Sequence, residues 1–385
     1  MGRRVMIFAG EASGDMYGGR LARALRECRP GIELSGIGGD EMAAAGVRLV
    51  THIRDLSVMG IWEVIRDLGR LRRILNLAKG SIRRETPDAL VLIDFFRFNI
   101  ELGRAAKKAG IPVIYYVAPK LWAWGEGRVH RLRRSVDGVL AIFPFEEEFY
   151  RSHSVPVTFV GNPLVELLDM GDPSPLMAQL GLHPEDTVIS LLPGSRASEV
   201  KQLLPAFLAA AELVSRELDR RVRFLMPLAH TVPRNLVDDM LADAGVVVTL
   251  TEGESRNLLK LSSVALVASG TATLEAFLLG VPQVVAYRTS WVTSFIGRRL
   301  IRIPRISLPN ILAGRDVVEE LLQEEVMPER LARAVLELLS GKGHMDDYLD
   351  ASREVRQSLK GEEASTLAAA AVLEAMDSGA AGRLG

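Results

Sequence analysis

Along this chain short runs of Val, Ile, Leu and Phe alternate with stretches whose apolar residues return every three or four positions. The runs predict strands at 4–9, 32–36, 89–94, 112–117, 137–142 and 156–160, with helices at 15–27, 99–109, 126–134 and 145–151. The second half repeats the pattern, with strands at 187–192, 222–227, 246–250, 264–268 and 283–287 and helices between them. From 328 onward only helical spacing remains, ending in an Ala-rich segment near 363–376. Strands alternating with helices predict an α/β fold with parallel sheets. "GNPLVELLDMGDPSPL" (161–176) holds three prolines and three acidic residues, fits neither period, and reads as a linker between two Rossmann-like halves. The expected domains are 1–165, 176–345 and a set of C-terminal helices at 346–385.

Composition narrows the class without changing that picture. The 385 residues are 48% hydrophobic and 25% charged, as in a soluble globular protein. Their 47 basic and 48 acidic residues leave a formal net charge of −1, so no overall basic field points to nucleic acid. Cys28 is the only cysteine, which excludes an intramolecular disulfide and suggests a reducing compartment. No run approaches about 18 uninterrupted apolar residues, and the apolar run at the start is too short for a signal peptide.

Candidate chemistry in the second half begins at "LLPGSRASE" (191–199), where an apolar strand runs through Gly194, Ser195 and Arg196 into a helix expected near Ser198. Such a corner presents unpaired backbone N–H groups beside a guanidinium and suits an anion. In a doubly wound sheet of order 3-2-1-4-5, the first and fourth strands are neighbours. Their following loops, 193–196 and "SGTATLE" (269–275), then share one crevice. There, after Ser269, itself a candidate nucleotide contact, Gly270 lets the backbone approach a ligand, Thr271 is expected to cap the helix, and Glu275 can accept hydrogen bonds from a ribose diol. Together these predict a nucleotide carrying a diphosphate. The plainer alternatives are macrodipole stabilisation for Glu275 and a surface ion pair for Arg196. In "SLPNILAGR" (307–315), Asn310 among apolar neighbours is either a turn residue or a ligand contact.

Other nucleotide and catalytic patterns are missing. The chain has no G-x-x-x-x-G-K-[ST], "GIGGDE" (36–41) lacks the third glycine of the dinucleotide fingerprint, and neither G-x-S-x-G, H-E-x-x-H nor Asp-x-Asp occurs. No metal or other cofactor is expected, so arginine and helix dipole would carry the diphosphate charge.

In the first half, "DALVLID" (88–94) ends in Asp94, at the strand end where open α/β sheets bind ligands. Asp94 is the first candidate for a general base; the alternative is capping of a helix near Asn99. Glu11 and Asp15 in "AGEASGD" (9–15) come second, with capping the alternative for Asp15. "YYVAPKLWAWGEGRVHRLRR" (115–134) sets aromatics such as Trp122 beside arginines such as Arg128, a combination suited to a sugar phosphate or, for the tyrosines, to core packing. Residues 56–84 place Ile61, Val64, Ile65, Leu68, Leu71 and Leu75 at helical spacings among seven basic residues. With Met59 and Trp62 this fits an interfacial helix on anionic lipid, against the plainer reading of a core-facing helix with solvated arginines. Segment 291–306 repeats the theme.

These motifs resemble one family. GEASGD (10–15), "VMGIWEV" (58–64), 94–99, "YYVAPKLWAW" (115–124), "FPFEEEFY" (143–150), LLPGSR (191–196), SGTATLE and SLPNILAGR are together similar, in colinear order, to those of the lipid-A-disaccharide synthases. The resemblance implies a GT-B fold, two Rossmann-like domains facing across a cleft with C-terminal helices crossing back to the first. It also implies an inverting, metal-independent glycosyltransferase, peripheral on the cytoplasmic face of the inner membrane. Its substrates would be UDP-2,3-diacylglucosamine and 2,3-diacylglucosamine 1-phosphate (lipid X), its products UDP and a β-1,6-linked disaccharide phosphate. A homodimer is allowed for. The family's critical aspartate falls on Asp94, and its nucleotide-site residues fall on Arg196, Glu275 and Asn310. Glu11, Ser13, Asp15, Trp122 and Arg128 are expected near the acceptor, and Met59, Ile61, Trp62, Ile65 and Leu68 at the membrane. The chain departs from the family pattern at Phe96 and Arg97, where proline followed by aspartate or glycine is usual, at Gly125 (arginine) and at Asn162 (histidine). The remaining alternatives are a GT-B transferase or epimerase with a soluble substrate and a non-catalytic UDP-binding relative.

Overall fold

The structure, a computed structural model, describes residues 3–56, 63–168, 171–288, 305–341, 345–360 and 363–381, with the backbone alone at 63–68, 124 and 379–381. It divides into two units, Met1–Glu166 with Leu359–Gly385, and Leu167–Ser358.

The first unit is built on β1 (Arg4–Ala9), β2 (Glu33–Gly38), β3 (Arg48–His52), β4 (Ala89–Ile93), β5 (Val113–Tyr116), β6 (Gly138–Ala141) and β7 (Val157–Phe159), in the order β3-β2-β1-β4-β5-β6-β7. Every pairing is parallel. Helices cover parallel sheets on both faces, so central strands need apolar side chains throughout; β4, Ala-Leu-Val-Leu-Ile, is buried at every position. The sequence pattern misses β3, a half-buried edge strand with polar residues at both ends. The chain order reverses between β1 and β4, where Ala9 stands level with Ile93. The loops leaving these strands therefore emerge side by side.

Helix Ala364–Ala381 packs against helix Ala12–Cys28 and completes the unit. Its buried face is Ala364, Ala368, Ala369, Val372 and Met376. The Glu166 carboxylate holds its first turn, accepting from Ser365 N and Ser365 Oγ at 2.7 Å each. The stretch read as a linker is thus partly structured: Pro163–Leu168 is helical and Asn162 N donates to Leu359 O at 2.9 Å.

The second unit's sheet runs β10-β9-β8-β11-β12-β13, again wholly parallel. Its strands are β8 (Thr187–Leu192), β9 (Val222–Leu228), β10 (Val248–Glu252), β11 (Val264–Ala268), β12 (Gln283–Tyr287) and β13 (Glu319–Leu322). The 3-2-1-4-5 order read from the sequence is present, extended by the four-residue edge strand β13. The C-terminal helices divide between the units instead of staying together from 346. Helix Met345–Ser358 belongs to the second, because Tyr348 OH donates to Val281 O, Ser352 Oγ to Phe277 O, and Tyr348 meets the Phe277 ring edge-on.

Candidate active site

In the first unit Asp94 follows β4 immediately and takes left-handed backbone angles (φ +47°), as does Phe95 (φ +46°). Two consecutive non-glycine residues in that region cost on the order of 1–3 kcal/mol each. Several groups hold them. Asn99 Nδ2 donates to the carbonyls of Ile93 (3.0 Å) and Asp94 (2.7 Å), the buried Tyr115 hydroxyl donates to the Asp94 carbonyl, and Asp94 Oδ1 accepts from Phe95 N at 2.9 Å. The Phe95 ring lies on the β1 loop, where a Cβ on Gly10 would sit 2.3 Å from Phe95 Cγ, so only glycine fits. Burial, and then the Asp94 charge, push the Tyr115 hydroxyl well above its ordinary pKa. The outcome is a partly exposed carboxylate at the switch point on strained, braced backbone. The helix after it, Phe96–Lys108, starts earlier than the expected 99, so Asn99 lies inside its first turns and reaches back to the strand end.

Asp15 belongs elsewhere. It is buried, and its carboxylate accepts from Gly39 N (2.6 Å), Glu41 N (3.1 Å) and Met42 N (3.1 Å), capping helix Asp40–Ala44. That corrects its assignment to the acceptor: the capping role holds, for a helix other than its own. Glu11 is the N-cap residue of helix Ala12–Cys28 without a side-chain capping bond, and both it and Ser13 are partly exposed beside Gly10. Trp122 is a structural anchor, its Nε1 donating to Glu146 Oε1 at 3.1 Å and its ring edge-on to Phe145. Glu146 also accepts from Ile142 N and Phe143 N, yet burial outweighs these bonds and raises its carboxyl to about 7. Arg128 is exposed in a short 3-10 turn.

Of the membrane-facing expectations, Met59, Ile61 and Trp62 lie outside the described residues, as do the side chains of Ile65 and Leu68 in helix Glu63–Glu85 and the segment 291–304. Further along this helix Ile74, Ala78 and Ile82 are buried, with Leu71 and Leu75 packed on the same core. From 71 onward the core-facing reading therefore holds. Among the described residues no helix is long and apolar enough to cross a membrane.

In the second unit β8 and β11 are paired, so the loops 193–196 and 269–270 leave the sheet together, as expected. The helix after β8, Ala197–Glu217, opens differently from the sequence reading. The backbone N–H groups of Ser195 and Arg196 are not unpaired: both donate to Glu199 Oε2, at 3.0 and 3.3 Å, and Arg196 Nη1 meets Glu199 Oε1 at 3.2 Å. Gly194 (φ +118°) makes the seat, because a Cβ there would lie 2.4 Å from Glu199 Oε2. The anion corner exists, and a carboxylate of the chain sits in it.

Helix Thr271–Leu278 has Gly270 as its N-cap and no side-chain cap; Thr271 is the first helical residue, and Thr273 Oγ1 donates to Gly270 O at 2.7 Å. Thr271 therefore does not cap as expected. Glu275, one turn in, is partly exposed, but the protein around its carboxyl raises it to about 7 against the opposing charge of Arg256. Tyr287, ending β12, lies near both Arg196 and Glu199, which act in opposite senses on a hydroxyl raised mainly by burial.

Asn310 is the turn residue of the two alternatives. Its Oδ1 accepts from Val317 N (2.7 Å) and Val318 N (2.9 Å), while Nδ2 donates to Val318 O (3.0 Å) and Glu320 Oε1 (2.7 Å). Both protons and both lone pairs are used, so its amide shapes the 307–318 loop and leaves nothing for a ligand. Glu199, Tyr287 and Glu320 escaped the sequence reading; only Glu199, at the third helical position after the Gly-Ser-Arg turn, carried a local signal. Among the described residues no group of three or more His, Cys, Asp or Glu could hold a metal.

A family model described as lipid-A-disaccharide synthetase matches residues 5–374. The chain belongs to the lipid-A-disaccharide synthetase family. A lipid-A-disaccharide synthase of Myxococcus xanthus (strain DK1622) is 41% identical over 378 residues, covering 98% of each chain. One from Trichlorobacter lovleyi is 37% identical over 376 residues, covering 97% of this chain and 98% of the relative. Among solved structures, a UDP-GlcNAc 2-epimerase from Neisseria meningitidis bound to UDP-GlcNAc superposes with a TM-score of 0.69 at 16% identity, over 96% of this chain and all of that one. The glycosyltransferase of kitacinnamycin gives 0.62 at 16%, over 97% and 99%. At such identities the likeness concerns the fold alone, the GT-B fold. Lipid-A-disaccharide synthetase membership thus rests on the sequence, and the two parallel-sheet units agree with it.

Proposed function

We propose that this protein joins UDP-2,3-diacylglucosamine to 2,3-diacylglucosamine 1-phosphate, releasing UDP and forming a β-1,6-linked disaccharide phosphate. Family membership across residues 5–374 carries the reading, and the braced Asp94 at the first sheet's switch point supports it. The first unit supplies the base. Asp94 takes the proton of the acceptor's 6-hydroxyl as that oxygen attacks the anomeric carbon from the face opposite the nucleotide, inverting the configuration. A positioned base contributes typically 10²–10⁴-fold.

The second unit holds the nucleotide. Arg196, the amides after Gly194 and the open N-terminus of helix Thr271–Leu278 take the diphosphate, where a well-placed donor to developing charge is worth roughly 3–4 kcal/mol. Glu275 accepts from the ribose diol, and Asn310 contributes by holding its loop. Glu11 and Ser13 border the acceptor. Because acyl chains resist transfer to water by about 0.8 kcal/mol per methylene, the protein works at the membrane surface, the cytoplasmic face of the inner membrane, held through Met59, Ile61, Trp62, Ile65 and Leu68 and the basic residues among them. Incubating the purified chain with both acylated substrates in mixed micelles and assaying UDP and disaccharide tests the reading; UDP without disaccharide, or neither, overturns it.

A further inference from the structure

We infer that Glu199 is a built-in competitor of the diphosphate, an intramolecular anion that a nucleotide must displace and whose return helps to expel UDP. The inference rests on the proposed reading of the 193–196 corner as the diphosphate seat and adds the regulation of that seat. Three donors on which the reading depends, Ser195 N, Arg196 N and the Arg196 guanidinium, already hold the two Glu199 oxygens at 3.0–3.3 Å. A carboxylate and a phosphate offer such donors the same kind of anionic oxygens, and one set of N–H groups cannot serve both. The fit is local and specific. Glu199 Oε2 occupies the space that a Cβ on Gly194 would take, and the neighbouring N-terminus at Gly270 has no side-chain cap at all.

The carboxylate is also free to leave. Glu199 lies in the first turn of its helix with 31% of its side chain exposed, so a change of side-chain rotamer carries it into solvent while the backbone stays in place. A seat occupied by its own carboxylate about nine-tenths of the time lowers the apparent affinity for a competing anion about tenfold. The same occupancy closes the corner behind departing product.

The test is calorimetric titration of the full chain with UDP and with uridine. Glu199→Gln keeps an oxygen to accept from the two amides and removes the negative charge. It is expected to bind UDP about tenfold more tightly and uridine as the unaltered chain does. Glu199→Asp, one methylene too short to hold both amides and the guanidinium together, is expected to tighten UDP to a smaller degree and serves if Glu199→Gln fails to fold. UDP affinity unchanged or weakened in the folded variants overturns the inference, and so does an equal gain for uridine. Arg196→Ala separates this from the underlying reading. If it weakens UDP while the Glu199 variants do not tighten it, the seat stands and the competition fails. If Arg196→Ala leaves UDP binding untouched, the diphosphate lies elsewhere and both readings fall.

Discussion

Replacing Asp94 by Asn tests the catalytic reading with little disturbance to the fold. The side chains have nearly the same shape, and Asn Oδ1 can still accept from Phe95 N, as Asp94 Oδ1 does at 2.9 Å. Asn also tolerates left-handed backbone, so φ +47° adds no strain, and the bonds from Asn99 and Tyr115 go to the main-chain carbonyl, which the substitution leaves alone. The expected change in folding stability is therefore under about 1 kcal/mol. What disappears is the ability to take a proton: the expected loss in kcat is 10²–10⁴-fold, about 3–5 kcal/mol in the barrier, with UDP affinity unchanged. The assay is initial UDP release with both acylated substrates in mixed micelles, alongside calorimetric UDP binding and denaturant unfolding. Turnover within tenfold of the unaltered chain, in a folded variant, refutes the base assignment. A large fall in UDP affinity refutes the division of labour between the units.

Three further outcomes follow from the same hydrogen-bond geometry. Asp15→Ala removes the acceptor of three backbone N–H groups and should cost about 2–4 kcal/mol in denaturant unfolding, with KM for the acceptor unchanged; a raised KM in a chain of undiminished stability would make Asp15 a ligand after all. Asn310→Asp points an oxygen at Glu320 Oε1 and at the Val318 carbonyl, and should destabilise by about 3–5 kcal/mol, whereas a direct ligand contact would lower UDP affinity and leave unfolding alone. Glu146 titrates near 7 in the folded chain against 4.5 when solvated, so between those values the folded state binds the extra proton. Stability should therefore fall as pH rises from about 4.5 to about 7, by up to roughly 3 kcal/mol, and Glu275, whose carboxyl burial likewise raises to about 7, adds to the fall over the same window; Glu146→Gln should flatten the slope in pH-dependent unfolding.

The parallel sheets, and in the second unit the order of the central strands and the switch point, were legible in the sequence. Apolar runs and helical spacing are written within about ten residues, and short right-handed crossovers leave few topologies that bury them. The same locality placed Asp94 at a strand end and brought 193–196 to 269–275. Edge strands β3 and β13 went unread because they are short and half-buried, so nothing in their pattern demands a sheet. Tertiary structure alone decided which partner each polar group found. Asp15 binds amides 24 to 27 residues away, and Glu166 holds a helix 199 residues further on. Asn310 uses up its hydrogen-bonding capacity on a loop it helps to fold, and Glu199 turns an apparently open anion corner into an occupied one. A carboxylate or amide carries the same capacity wherever it stands, and what it does is settled by which donors and acceptors the fold leaves within 3 Å of it.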